Sequence, residues 1–291
     1  GLFGFTPKNS NQPLDQAAFS QPEMRVVRTI SRFSSIEDRL INGMSYRSMM
    51  TDLGPSWYTF VDERTGRPSL IEGGAIPWIP GPANDLMFQE FSPGCQDISC
   101  LPLEKIDAMG RAFLTSYPDV FQTGSFELMP SRDGSGPVGS SVYFLRYFVY
   151  YKGIPVQGAY IDFRLNGGNL IQVAMDRIAD IDLPTTPQVS LRNAWDILYS
   201  YLGESPTKYD HIIDPGTLII LPVTPKGTDP DHFTGAIGTG LSYALAYRLQ
   251  FSRENQVGTW EALVDAHTGE ILHFVDVNRY GKVHGVVYPG D

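Results

Sequence analysis

A mixed α+β architecture built mainly from antiparallel strands is what this sequence predicts. Three observations carry that expectation. Residues 143–151, 159–165 and 241–251 alternate apolar or aromatic residues with others at a period of two, the pattern of a strand with one buried face. The chain holds 29 glycines and 22 prolines, which favours many tight connections. Apolar residues recur at helical spacing over 103–117 and 190–202.

Composition narrows the class. Apolar residues make up 42% of the 291, too many for a disordered chain and enough for one large domain or two smaller ones. The net charge of −10 argues against a nucleic-acid surface. No apolar run approaches the roughly 18–20 residues that span a bilayer. The opening GLFGFTPKNS lacks the basic start and long apolar stretch of a signal peptide, a segment that processing removes. The closing Tyr288-Pro289-Gly290-Asp291 is not a natural helix or strand end, so the chain reads as a segment of a longer protein.

In chain order, the first twenty residues read as loose or extended. A helix is expected around Ser35 to Met44, where Ile36, Leu40 and Met44 would share a face. Trp57 to Ile71 reads as a hairpin turning at DERTG, and Gly73 to Cys100 as a long covering loop. Cys95 and Cys100 in that loop are spaced for a small bridge; a disulfide is favoured over free thiols, and it would imply export. Leu103, Ile106, Gly110, Phe113, Leu114 and Tyr117 line one face of a helix that Pro118 terminates. Val142 to Asp176 then reads as three successive strands. Lys152-Gly153-Ile154-Pro155 turns the first into the second, and Asn166-Gly167-Gly168-Asn169 turns the second into the third.

Asp180 to Pro187, with its two prolines, reads as a junction between subdomains. Ser190 caps a second helix with Leu191, Ala194, Trp195, Leu198, Tyr201 and Leu202 inward, and Gly203 stops it. Thr217 to Val223, Leu241 to Phe251, Val257 to Val264 and Glu270 to Val275 complete the strands. One pattern occurs twice. Trp57-x-x-x-Val61-Asp62-x-x-Thr65-Gly66 has the spacing of Trp260-x-x-x-Val264-Asp265-x-x-Thr268-Gly269. An aspartate at a strand end bonds forward into the turn backbone, and glycine takes the left-handed position. Two copies imply two similar hairpins and no repeat array.

Arg146-Tyr147, then Tyr151-Lys152-Gly153-Ile154-Pro155-Val156, then Gly158, resembles the fungalysin/thermolysin propeptide domain, which precedes secreted zinc metalloproteases. Phe148 and Val149 depart from it where a polar residue, often glutamine, follows Arg-Tyr in that family. Trp260-Glu261-Ala262-Leu263-Val264-Asp265-Ala266-His267-Thr268-Gly269-Glu270-Ile271-Leu272 resembles the end of a PepSY module, which follows the propeptide domain in such precursors. The resemblance implies two cystatin-like half-domains, each an antiparallel sheet packed against a helix. It places an unassigned extension at 1–50, a propeptide-like domain at 51–180, a PepSY-like domain at 181–278, and a linker or the start of a next domain at 279–291. Arg146, Tyr147, Gly153, Pro155, Gly158, Trp260, Asp265, Thr268 and Gly269 are its motif and structural residues.

Chemistry is mostly absent. A zinc protease of that kind needs H-E-x-x-H, two histidines one helical turn apart with a glutamate base. None of His211, His232, His267, His273 and His284 has a histidine four residues on or precedes glutamate. No credible G-x-S-x-G elbow or phosphate loop is present, and the carboxylates at 176–182 and 229–231 do not follow a calcium-loop pattern. The expectation is therefore a non-catalytic prodomain, not itself an enzyme and without its own cofactor. Zinc would belong to a catalytic domain outside this chain. The implied partner is that metalloprotease domain in cis, acting outside the cytoplasm, with no nucleic acid and no membrane span. The first candidates for protease contact are Asp276, Val277, Asn278, Arg279 and Tyr280, in a segment that would bind as an added strand. Two rivals remain open: a structural or interaction module of a surface protein, since Lys282 to Pro289 looks like the opening strand of a small sandwich domain, and a free-standing PepSY-type inhibitor.

Overall fold

The computed structural model describes residues 13–204, 209–254 and 256–278. Its strands are β1 (Phe19–Ser20), β2 (Ile30–Arg32), β3 (Tyr58–Asp62), β4 (Arg67–Pro77), β5 (Glu127–Pro130), β6 (Gly136–Val138), β7 (Val142–Tyr151), β8 (Ile154–Asn166), β9 (Asn169–Asp176), β10 (Asp210–Val223), β11 (Ser242–Arg253), β12 (Trp260–Asp265) and β13 (Ile271–Asp276). The longer helices are α1 (Gly43–Leu53), α2 (Leu103–Ser116) and α3 (Leu191–Leu202). The fold is mixed α+β, with antiparallel pairing dominant.

The chain divides into two compact units. In its described residues, one consists of 13–21, 187–217 and 246–278; the other of 22–186 and 218–245. Sequence reading placed consecutive domains at 51–180 and 181–278, whereas each unit is assembled from separated segments. The reason is strand pairing. β2, in the supposed extension, pairs with β3 (Ser31 opposite Val61), and Ile220 of β10 pairs in parallel with Val156 of β8.

In the larger unit, β7, β8 and β9 form the antiparallel core expected from Val142 to Asp176, with Leu145 opposite Phe163 and Phe163 opposite Val173. β9 continues onto β4 and β4 onto β3, while β5 and β6 pair along the other edge of β7. Helix α2 buries Ile106, Gly110 and Leu114 as its spacing predicts. A Cβ on Gly110 would lie 2.6 Å from both Leu145 and the Tyr147 hydroxyl, so this glycine sets the closeness of helix to strand. Phe113 of α2 meets Trp78, Phe121 and Phe163 in one aromatic cluster. The bridge between Cys95 and Cys100 is formed.

The expected helix over 35–44 is corrected. A short helical turn, Phe33–Ile36, and a tighter one, Glu37–Arg39, end before Leu40, and α1 begins at Gly43. Ile36 and Leu40 are buried, but Met44 is 84% exposed. Asn42-Gly43 restarts the chain direction, and a Cβ at Gly43 would meet the Glu37 carbonyl.

In the smaller unit, α3 packs on β11, β12 and β13 through Trp195, Phe251, Tyr201 and Phe274. Ser190 accepts a hydrogen bond from the Asn193 amide, and Gly203 takes the left-handed position. Leu191 is exposed and Tyr199 buried instead, because the buried stripe of α3 runs through Ala194, Leu198, Tyr199 and Leu202. β10 starts at Asp210, earlier than expected, and runs through Pro215. Here the Asp214 carboxylate accepts from the Gly216 and Thr217 amides. Burial pushes that carboxyl upward, but these amides and the Arg248 guanidinium outweigh it and hold it below its ordinary range.

Both Trp-Asp-Thr-Gly hairpins form as the pattern predicts. Asp62 Oδ1 accepts from the Arg64 amide and Asp265 Oδ1 from the His267 amide. Thr65 and Thr268 hydroxyls accept from Arg67 and Glu270 amides. Gly66 and Gly269 have φ of 69° and 76°.

Candidate docking face

The sheet of the larger unit is two-faced. Tyr143, Leu145, Tyr147, Ile161, Phe163, Leu165, Val173 and Met175 point to the helical side and are buried. The register places the alternate residues in cross-strand rows on the other side. One row is Asp176–Tyr160–Phe148–Met129; the next is Ala174–Asp162–Arg146; a third is Gln172–Arg164–Phe144–Gly136. Their side chains are half-buried or exposed, with Phe148 at 49% and Met129 at 53%. A cross-strand pair of large exposed apolar residues is not what a solvated sheet face ordinarily shows.

Arginine and aromatic groups interleave on this face. The Arg146 guanidinium lies 5.2 Å from the Tyr160 ring centre and Arg164 lies 5.9 Å from that of Phe144. Arg146 also donates through Nε to Asp162 Oδ1 at 2.7 Å and through Nη2 to Oδ2, a forked pair. That hydrogen bond raises the arginine's already high pKa, so the charge is permanent. Arginine, tyrosine, phenylalanine and methionine are the residues that protein interfaces favour.

A cleft opens where β7 and β8 lose register. Phe148 pairs with Tyr160 and Tyr150 with Pro155, so Val149 alone faces the four residues Val156 to Ala159. Gly158 permits this excursion at φ 71°, and the Arg177 guanidinium occupies the space its Cβ would take. The cleft holds about 400 Å³ and is lined by Arg146, Phe148, Tyr150, Pro155, Gln157 and Tyr160 among others. Gln157 Oε1 is buried and has no hydrogen-bond partner among the described residues.

The motif residues of the first resemblance separate by role. Arg146, Pro155 and Gly158 line the cleft. Tyr147 points to the opposite face, where its hydroxyl donates to Asp107 Oδ1 at 2.7 Å, and burial pushes its phenol far up. Gly153, at φ 77° beside Lys152 at 49°, makes the β7–β8 turn, and its amide donates to Glu127. Sequence reading missed Gln157 and Tyr160. The period of two placed Tyr160 on the outer face, but nothing in the pattern announced the register loss.

The second set lies in the smaller unit and is structural in position. Trp260 is buried and stacks on Phe274 at 5.2 Å, while Asp265, Thr268 and Gly269 make the β12–β13 turn. Asp276 Oδ1 accepts from the Thr259 and Asn278 amides, and the Val277 amide donates to the Thr259 carbonyl, so these residues close the open end of that hairpin. Arg279 and Tyr280 lie outside the described residues. On the outer side of the same hairpin, Glu261 accepts from Gln250 at 2.6 Å and pairs with His273 at 3.1 Å. Burial raises that carboxyl, but the His273 and Gln250 bonds outweigh it and leave it lowered. Among the described residues no group of three or more His, Cys, Asp or Glu is placed to hold a metal, and no helix is long and apolar enough to cross a membrane.

Comparison with known proteins adds little beyond this geometry. No protein-family model and no curated protein sequence matches the chain. Among solved structures, the Bacillus megaterium YpeB C-terminal domain is similar at 13% identity and a TM-score of 0.30, over 76% of this chain and 77% of that one.

Proposed function

We propose that the chain is the non-catalytic prodomain of a secreted zinc metalloprotease, assisting the folding of the catalytic domain and restraining it until cleavage. The observation that carries this reading is the order of two motifs along one chain. Arg146-Tyr147 through Gly158 resembles the propeptide domain, and Trp260 through Leu272 resembles the PepSY module that follows it in such precursors. The arginine–aromatic face of the larger unit, half-buried or exposed among the described residues, supports a docking role. The Cys95–Cys100 bridge supports an oxidising compartment. The reading assigns this chain no catalysis and no cofactor of its own, with zinc bound in the protease domain.

Its physics is ordinary. A folded partner that binds only the native protease stabilises it by mass action, and covalent linkage raises the effective concentration so that modest contacts suffice. The test has two arms. The codons that follow this segment should encode H-E-x-x-H. The purified chain should inhibit that protease at roughly micromolar concentration or below, an affinity of about 8 kcal/mol. Neither a downstream motif nor inhibition would leave the chain to the interaction-module or free inhibitor reading.

A further inference from the structure

We propose that the Asp229–Pro230 peptide bond is a self-cleavage site, broken by the Asp229 carboxylate with Arg64 and His232 assisting. It is a single-turnover reaction of the chain on its own backbone and rests on no part of the docking reading above.

Three groups converge on that bond. The Asp229 carboxylate accepts from the Asp231 amide at 2.8 Å, and the ring closed by this hydrogen bond contains the Asp229–Pro230 bond itself. The carboxylate is therefore held folded over this peptide unit. The Asp231 amide, with the amide and ring of His232, keeps it below its ordinary range and so ionised. At the carbonyl oxygens, Arg64 Nη2 donates to Asp229 at 3.2 Å and to Pro230 at 2.7 Å. That arginine is 1% exposed, so its pull is little screened by water, although the Asp62 carboxylate opposes it through charge. His232 Nδ1 lies 3.3 Å from Asp229 Oδ2, which sets an acid beside the bond.

A carboxylate oxygen of Asp229 attacks its own main-chain carbonyl carbon and closes a cyclic anhydride. Charge developing on the carbonyl oxygen meets Arg64 Nη2. The carbon–nitrogen bond breaks, and the Pro230 nitrogen takes a proton from His232 and leaves as a secondary amine. Water opens the anhydride to two carboxyl groups, whose protons return to His232 and charge the Pro230 amine. The net reaction consumes one water and needs no other reactant. The Asp229 side chain is exposed, so water reaches the anhydride. The product also suits the site, because the new Asp229 α-carboxylate forms against Nη2 and gives a buried arginine a charged partner where a carbonyl stood. Asp231 pairs with Arg25 at 2.8 Å, and the Gly238 and Gly240 amides donate to the Glu63 and Arg64 carbonyls, so the piece beginning at Pro230 stays attached.

The chain holds a second aspartyl–prolyl bond that lacks these aids. Asp214 also folds over its bond to Pro215, but its carboxylate is committed to the Gly216 and Thr217 amides, the Thr217 hydroxyl and the Arg248 guanidinium. Asp214 is buried, and Thr217 stands where the other turn has His232. Two bonds that are alike in sequence thus differ in nucleophile, acid and access to water.

The experiment follows the whole folded chain by intact mass over days at about pH 6, where imidazole is an effective acid. It should resolve into fragments 1–229 and 230–291, at a rate independent of chain concentration, with Asp214–Pro215 left whole. Asp229→Asn should abolish the cleavage. His232→Gln and Arg64→Met should each slow it at least about tenfold, with circular dichroism unchanged. Urea at the same pH should stop it, since the three groups disperse on unfolding. A chain that stays intact, cleavage at both aspartyl–prolyl bonds alike, or a rate that survives urea or both substitutions would overturn the proposal.

Discussion

The two Trp-Asp-Thr-Gly hairpins, one in each unit, share a turn and differ in what surrounds it. In both, the Gly amide donates to the Asp carbonyl, at 2.8 Å for Gly66 and 2.9 Å for Gly269. The residue two beyond the aspartate is Arg64 in one and His267 in the other. Arg64 is 1% exposed beneath the segment 229–240, with Nη2 donating to the Asp229 and Pro230 carbonyls and Phe233 beside it. Among the described residues its Nε and Nη1 have no hydrogen-bond partner, and the nearby Asp62 carboxylate acts on it through charge alone. His267 is half-buried, and its Nε2 likewise has no hydrogen-bond partner among the described residues. The turn is thus a local device, and the fate of its variable position is decided by whichever segment crosses it.

A buried arginine of the smaller unit gives the sharpest contrast. Arg253 forks onto Asp210 and also pairs with Glu204, all three nearly enclosed. Burial lowers the pKa of Arg253, but those carboxylates outweigh it and raise it. Arg253→Met should cost about 3–5 kcal/mol, because it strands two buried carboxylates. Arg64→Met strands only two carbonyls and should cost no more than about 1–2 kcal/mol. Urea denaturation of both variants checks this; equal losses would mean that the charge interaction of Arg64 with Asp62 weighs as much as the buried pairs of Arg253.

The turn glycines come next in size. Alanine at either should cost about 1–2 kcal/mol through the left-handed backbone. Gly269→Ala should cost the more, since its Cβ would lie 2.9 Å from Ile197, against 3.4 Å between a Cβ at Gly66 and Ile237. Paired thermal unfolding curves rank them, and the reverse order would show that Ile197 yields freely.

The smallest effect is in pH dependence, with opposite signs in the two units. Burial raises the Asp62 carboxyl, and the Asp176 charge adds to it against the amides of Thr29 and Arg64. The native state therefore holds that proton more tightly than the unfolded chain, and stability from this group is gained as pH falls through the raised value. Glu261 is lowered, so its contribution is full above its unfolded pKa of about 4.3 and is lost as pH falls through the depressed value. Asp62→Asn should remove the gain and Glu261→Gln the loss, each read as a change in slope of stability against pH between about pH 7 and about pH 3. Slopes of the same sign in the two variants would contradict the assignment.

Much of the fold was legible because its signals are local. Tyr143 to Tyr151 could be read as a strand because one face of it is continuously apolar. Gly153, Gly167 and Gly168 marked the hairpins because positive φ, 59° to 91° at these three, suits glycine. Ser190 and Gly203 marked the ends of α3 for similar reasons. The candidate site was less legible. Arg146, Pro155 and Gly158 stood out as motif residues, but their meeting in a cleft depends on the mismatch of Val149 with four residues of β8, and Gln157 carries no sequence signal of being buried without a partner. The helix expected over Ser35 to Met44 failed because the chain turns extended at Leu40 and reverses through Ile41-Asn42 before α1 starts at Gly43, a break within a stripe that apolar spacing alone made continuous.

While the short strands β1, β2, β5 and β6 carried no signal, the sequence by itself determined the long strands β7, β8, β9 and β11, the inward face of β7 and β8, the two turns and the two amphipathic helices. These depend on periodicity and on φ preferences within a few residues. Only the tertiary structure decided that the segments around Ile30 and Ile220 join the larger unit, that Ile220 pairs in parallel with Val156, and that 229–240 closes over Arg64. Such pairings join residues far apart in the chain. Several strands could satisfy the same edge locally, and the choice falls to which arrangement buries the apolar faces and pairs the backbone groups of all of them together.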